Sequence, residues 1–343
     1  MDTLLGHRRP VARTTLELPF LGFGGVPIAE LYRRVAEDEA QQTLSAAWDA
    51  GVRYFDTAPW YGRGQSEHRI GRFLRGMPRA DYVLVTKVGR VLRRPADPAH
   101  FSTHPFAGGL PFDITFDYTF EGVMRSYEQS LQRLGINTVD ALVIHDLDRV
   151  YHGDRFDAFR DQLIDGGGLR ALAELKASGD IRAVGMGFNR TAELEEFVRL
   201  IDLDFALVAM PYTLLDQGGL SGGMAECERR GISVVIGSPF ASGVLATGSA
   251  GLAAKYNYAD APVAILEKVR GLEAACARHG VTLRAAALQF LPAHPAVVSI
   301  IPGATTATEF LDNIASLSAP IPAAFWQDLR ARNLIDQEAP VPL

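Results

Sequence analysis

A closed barrel of eight parallel strands alternating with helices, the (β/α)8 or TIM architecture of the α/β class, is the fold predicted for this 343-residue sequence. Three observations lead there. Short apolar, β-branched runs recur eight times, each followed by a longer stretch of helical spacing. No pair of adjoining strands interrupts that alternation, which favours one closed barrel over an open doubly wound sheet. Glycine ends helices immediately before the next strand, as in Asp49-Ala50-Gly51 and Ala177-Ser178-Gly179, where a left-handed cap is expected.

Taken in order, the strands are expected at residues 20–24, 53–56, 82–87, 141–145, 181–185, 205–209, 233–236 and 297–301. Between them, segments 38–50, 122–134, 169–178, 191–200, 222–230 and 264–279 return apolar residues at spacings of three and four and predict barrel helices. Residues before Phe20, including RTTLEL at 13–18, predict a short hairpin under the barrel's N-terminal end. The whole chain, 1–343, reads as one domain. Two connections are longer than barrel geometry needs: 89–118, rich in Pro, Gly and aromatics, and 239–262, rich in small residues. Such connections are often lids or binding loops.

Composition bounds the function. With 48% hydrophobic and 22% charged residues and no apolar run near the length of a membrane span, a soluble globular protein without a membrane partner is expected. The N-terminus lacks the pattern of a secretory signal, so a cytoplasmic location is expected. A net charge of -6 argues against nucleic acid. The basic run KVGRVLRR at 87–94 reads as a solvated loop, and Cys227 and Cys276 as small buried hydrophobes. No cluster has metal-ligand spacing.

The chemistry collects at strand ends. Asp56 ends the second strand, Tyr61 follows five residues on, Lys87 ends the third and His145 the fourth. All four would meet at the C-terminal mouth, where barrel enzymes hold their catalytic groups. A phenol titrating near ~10 needs an electrostatic push to exchange protons at neutral pH. An ammonium about 4 Å away in an effective dielectric of about 20 favours phenolate by roughly 4 kcal/mol before desolvation opposes it. Lys87 would give that push to Tyr61, with Asp56 keeping Lys87 charged. A neutral His145 would donate to the reacting oxygen and orient substrate.

The segment YFDTAPWYGRGQSEHRIGRFL at 54–74 closely resembles the signature of the aldo-keto reductase family, and VLVTKVG at 83–89 and SLQRLGINTVDALVIHD at 130–146 resemble its lysine and histidine strands. The resemblance runs from LGFGG at 21–25 to IPGATTATEFLDNIA at 301–315. It implies an NAD(P)-dependent oxidoreductase with Asp56, Tyr61, Lys87 and His145 as catalytic tetrad. By motif position it also implies cofactor contacts from Gly24, Gly25, Asp56, Asn189, Ser238, Phe240, Ala241, Ser242, Gly243, Gly303, Asp312 and Asn313.

Two departures stand out. Gly237 occupies a place where many members carry an aromatic that stacks on nicotinamide, so a nearby aromatic would have to substitute. Residues 302–315 contain no Lys or Arg, and Glu309 falls where a base often holds the 2′-phosphate. Preference for NAD over NADP is therefore expected. Gly185-Met-Gly187 lacks the context of a dinucleotide fingerprint and reads as close-packed strand ends.

Within the family, TFEGVMRSYEQSLQRLG, IHDLD and KYNYADAP resemble the branch of aldose 1-dehydrogenases and pyridoxal 4-dehydrogenases. This implies oxidation of a cyclic hemiacetal to a lactone, with an L-fucose, L-galactose or D-arabinose type sugar first and pyridoxal second. Tyr61 would be the general base. Trp60, Tyr61 and His145 would contact substrate, with Trp60 as platform for a ring face, and His104, Phe106 and Tyr118 as further contacts. Two other readings are an NADP-dependent carbonyl reductase and a nucleotide-binding regulatory subunit, the latter disfavoured by the intact tetrad.

Overall fold

An antiparallel hairpin, β1 (Arg8–Pro10) and β2 (Glu17–Pro19), opens the computed structural model, which describes residues 7–250 and 254–342. The barrel strands follow as β3 (Phe23–Gly24), β4 (Tyr54–Asp56) and β5 (Val83–Val88). A second hairpin intervenes, β6 (Arg90–Arg93) paired with β7 (Asp113–Phe116). The barrel resumes with β8 (Ala141–Ile144), β9 (Ala183–Phe188), β10 (Phe205–Val208) and β11 (Ser233–Gly237). After a small hairpin, β12 (Lys255–Tyr256) with β13 (Ala259–Asp260), the last barrel strand is β14 (Val297–Ile301).

The eight barrel strands are parallel and neighbour one another in chain order, from β3 to β14. Closure comes from the first and last. Leu21 bridges Ile300 in parallel, Gly22 N donates to Ile300 O at 2.9 Å, and Ile300 N donates to Phe20 O at 2.9 Å. The expected strand at 20–24 is thus extended, with only its last two residues in the regular ladder. Gly22 permits the close approach, because a Cβ there would sit 2.6 Å from the Tyr54 ring.

Alternation sorts the apolar residues into two cores. One faces outward under the helices; the other fills the barrel with residues such as Val85, Val143, Phe205 and Val235. Phe205 reaches across to Gly185, where a Cβ would lie 2.5 Å from its ring, in keeping with close-packed strands there. The hairpin seals the bottom as expected, though 13–18 is mostly its turn. Val11, Leu16 and Leu18 join the inner core. Arg9 Nη1 donates to Val297 O at 2.6 Å and Ala12 N to Ser233 Oγ at 2.8 Å, both at strand starts.

Predicted helices appear within one or two residues at Glu37–Asp49, Phe120–Leu134, Gly168–Ser178, Thr191–Leu200 and Val263–His279. Gly51 and Gly179 hold φ of 97° and 85° at the expected caps. The segment at 222–230 instead begins with a π turn, Leu220–Met224, before Ala225–Arg230. Its pairs of glycines disfavour a regular first turn.

One expectation is overturned. The run 87–94 is not a solvated loop, since Lys87 and Arg90 are buried and the chain folds back through β6. Aromatic rings and carboxylates brought from elsewhere replace water around them. Cys227 and Cys276 are free and buried. Among the described residues no helix is long and apolar enough to cross a membrane, and no group of three or more His, Cys, Asp or Glu could hold a metal ion.

Candidate active site

Asp56 ends β4, Lys87 lies one residue from the end of β5, and His145 follows β8, so the three strands deliver their side chains to one rim. Tyr61 arrives by a tight turn. Gly62, Arg63 and Gly64 have φ of 61°, 57° and 97°, and helix Gln65–Leu74 starts at once. Glycine at 62 and 64 makes this turn accessible. Lys87 Nζ donates to Asp56 Oδ1 at 2.6 Å and to Thr57 O at 3.0 Å, and stands 4.8 Å from the Tyr61 ring centroid. Tyr61 and His145 meet edge to face with centroids 5.7 Å apart. All four line a cavity of about 470 Å³.

Burial governs the electrostatics. It pushes the Tyr61 phenol well above its ordinary value, reinforced by the carboxylates of Asp56 and Asp146 and opposed by Arg90. The expected push from Lys87 is outweighed, because its ammonium is already paired with Asp56. Tyr61 therefore holds its proton at neutral pH. Burial likewise raises the Asp56 carboxyl against the pull of Lys87. His145 is lowered to about 3, by burial first and then by Arg90, with Asp146 pulling the other way. Its imidazole is neutral over the physiological range, as the proposed donor role requires.

The same cavity extends past several of the residues expected to hold the cofactor. Gly24, Asn189, Ser238, Phe240, Ser242 and Gly303 line it. Gly24 and Gly303 are points of close chain approach at its wall: a Cβ on Gly24 would lie 2.7 Å from Ile301 O, and one on Gly303 2.5 Å from Pro27 Cδ. After β11 the chain turns with φ of 51°, 48°, 65° and 112° at Ser238, Ala241, Ser242 and Gly243. The turn is held by its own hydrogen bonds, Ala241 N donating to Ser238 O and Gly243 N to Phe240 O, both at 2.9 Å.

A model of the aldo/keto reductase family matches residues 20–333. The chain belongs to the aldo/keto reductase family. It is 39% identical over 343 residues to pyridoxal 4-dehydrogenase of Microbacterium luteolum, covering 98% of this chain and 100% of that protein. It is 35% identical over 329 residues to D-threo-aldose 1-dehydrogenase of a Pseudomonas species, covering 94% and 97%. Among solved structures, the holo form of an aldo-keto reductase from Bacillus halodurans shares the fold, with TM-score 0.72 and 23% identity over 98% and 97% of the two chains. Membership makes the chain an oxidoreductase that uses a nicotinamide cofactor.

Not every residue expected from the family motifs reaches the cavity wall. Gly25 packs behind it, where a Cβ would lie 2.4 Å from Ser66 Oγ. Ala241 is fully buried beside the loop. Asp312 is exposed on helix Ala307–Leu317, and buried Asn313 accepts from Arg284 Nη1 at 2.6 Å. Arg284 itself lines the cavity, as do Arg33 and Glu309. Sequence reasoning sought bases only within 302–315 and so missed both arginines, which come from other elements. Space at Gly237 is limited by Leu207 Cδ2, 3.0 Å from the position of an added Cβ.

A second cavity of about 510 Å³ adjoins the first across Trp60 and Tyr258, which line both. Trp60 packs edge-on to Phe106 and Tyr258, with centroids 5.2 and 6.1 Å away. His104 lines this second cavity. Tyr118 is fully buried beneath, and its hydroxyl donates to His145 O at 2.8 Å, so it supports the histidine from behind. Tyr258, in the turn between β12 and β13, is a further cavity aromatic that sequence reasoning did not single out.

Proposed function

We propose that this enzyme oxidises a cyclic hemiacetal to a lactone, moving hydride to NAD, with Tyr61 exchanging the proton of the reacting hydroxyl. The observation that carries the reading is the meeting of Tyr61 and His145 on one cavity wall with the Lys87–Asp56 pair behind them. Neutral His145 shares its Nε2 proton between Asp146 Oδ2, 3.3 Å away, and the substrate oxygen, and so fixes the position of that oxygen. Tyr61 takes the hydroxyl proton as hydride leaves the same carbon. Lys87 stabilises the phenolate that must form, and Asp56 compensates Lys87 inside the barrel, where an unpaired charge is costly. Trp60 and Tyr258 wall the reaction off from water.

The cofactor supplies the hydride acceptor when bound. Asn189, Ser238, the turn through Gly243, Gly303 and Arg284 would hold it. NAD is the preferred form in this reading because Glu309 faces the cavity. Partial burial pushes its carboxyl up, but hydrogen bonds from Thr305 outweigh that and hold it below the ordinary range. A carboxylate there repels a 2′-phosphate. Arg33 donates to Glu39, whereas among the described residues Arg284 has no carboxylate partner: it bonds the neutral Asn313 amide and lies over the Phe240 ring, and so is an attraction NADP would find.

For the substrate, our first reading is pyridoxal, supported by the 39% identity to pyridoxal 4-dehydrogenase and by the ring faces of Trp60 and Tyr258, which suit a flat heteroaromatic. An aldose is the second reading, favoured by the ionised Asp146 at the cavity border, which suits hydroxyl groups. The test is NADH appearance at mildly alkaline pH with pyridoxal, L-fucose, L-galactose, D-arabinose and D-glucose, each also with NADP. Turnover of pyridoxal or one sugar with NAD is the expected outcome. Turnover of none of them, with aldehyde reduction by NADPH instead, would overturn the hemiacetal reading.

A further inference from the structure

The tetrad leaves one costly arrangement beside it without a task. Arg90 in β6 is wholly buried, its guanidinium 4.9 Å from the Trp60 and Tyr151 ring centroids and 5.4 Å from that of Phe116. Its Nε and Nη1 have no partner. Its Nη2 donates to Asp146 Oδ2 at 3.2 Å, and the same oxygen lies 3.3 Å from His145 Nε2. Asp146 holds this position with φ of 35°, a left-handed conformation that non-glycine residues seldom adopt. Gly187 leaves room for the other oxygen: a Cβ there would sit 3.3 Å from Asp146 Oδ1. Asp146 lines both cavities.

A buried cation, a strained backbone and a missing side chain together hold one carboxylate beside His145, with Oδ2 committed and Oδ1 open. Among the described residues no protein group bonds Oδ1. An anchored carboxylate with a free oxygen is a receptor for a hydrogen-bond donor. The geometry points to Asp146 as the specificity-determining residue of this site, accepting a hydrogen bond from a substrate hydroxyl near the reacting carbon, with Arg90 as its positioning residue. An aldose offers such a hydroxyl at C2, and the pyridoxal hemiacetal offers its ring hydroxyl when bound as the un-ionised tautomer. The inference rests on the reading that the reacting carbon sits between Tyr61 and His145.

The experiment compares kcat/KM for the best substrate with that for its analogue lacking the hydroxyl, a 2-deoxy sugar or 3-deoxypyridoxal, in wild type and in Asp146→Asn. The amide must turn its one oxygen to Arg90 and so leaves NH2 where Oδ1 stood. The wild type is expected to favour the hydroxylated compound by about 10- to 100-fold, and the variant to lose most of that preference. NAD binding, read by fluorescence quenching, should persist. An unchanged preference overturns the proposal, even if both rates fall, because a purely structural role lowers them together.

Should the wild type oxidise no hemiacetal, that reading fails separately, and the same ratio is measured in reduction with NADH, using glycolaldehyde against acetaldehyde. Preference for glycolaldehyde that Asp146→Asn removes supports the assignment, and equal rates in the wild type overturn it. If Asp146→Asn no longer binds NAD, Gly187→Ala crowds Oδ1 while keeping the carboxylate. Loss of preference in that variant supports the assignment, and retention overturns it.

Discussion

At Tyr61, the proposed base, burial holds the phenol protonated. Oxidation consumes the phenolate form, so kcat for oxidation should climb with pH from 7 to 10. His145, lowered to about 3, contributes no ionisation between pH 5 and 9. A log kcat profile with an acid limb near 6.5 would show instead that His145 titrates and that its neutral role is wrong. Tyr61→Phe keeps the ring against His145 and removes only the hydroxyl. It should lower kcat by about 10²–10⁴-fold, the range for loss of a general acid or base, while NAD still quenches fluorescence. Retention of most of the activity would sink Tyr61 as the base. Side chains of this kind were legible from sequence because each sits at or just beyond an apolar strand. Arg284 and Arg33 were not. No periodicity marks a residue that reaches the cavity from a distant helix or loop, and only closure of the barrel brings them to the tetrad.

Among the elements, the junction of β5 and β6 couples stability to the site. Gly89 has φ of 95°, and a Cβ there would lie 2.3 Å from Tyr118 Cε1. Tyr118 in turn holds the backbone oxygen of His145. Gly89→Ala must therefore strain its own backbone and displace the ring. We expect a loss of about 2–4 kcal/mol from the combined conformational and overpacking costs, read by chemical denaturation, together with reduced kcat as His145 shifts. An unchanged midpoint would mean that Tyr118 has space to move. This junction is also where the sequence misleads. The eight barrel strands are apolar runs and declare themselves, but RVLR in β6 carries charges that read as solvated. What buries Arg90 is Trp60, Phe116, Tyr151 and Asp146, contributed by four other segments. The helices Gln65–Leu74, Phe156–Ile164, Leu283–Phe290, Ala307–Leu317 and Ala323–Ala331 lie outside the segments that periodicity predicts.

For the whole molecule, the barrel separates its two ends by task. The proposed catalytic side chains, most of the non-glycine residues with left-handed backbone and both cavities gather at the C-terminal ends of the strands. The N-terminal ends are closed by the β1–β2 hairpin, whose Val11, Leu16 and Leu18 complete the inner core. Conformational strain concentrates at the first end and apolar packing at the second, so a change at the bottom should cost stability without touching chemistry. Leu16 is fully buried, and Leu16→Ala leaves a cavity under the barrel floor. Its cost is expected at about 2–5 kcal/mol, seen as a lower denaturation midpoint, whereas kcat and KM of the folded fraction should match wild type. A variant with the expected loss of stability but an altered KM would show that the floor and the mouth are mechanically linked through the barrel interior. Unaltered kinetics would establish that the strands isolate one end from the other.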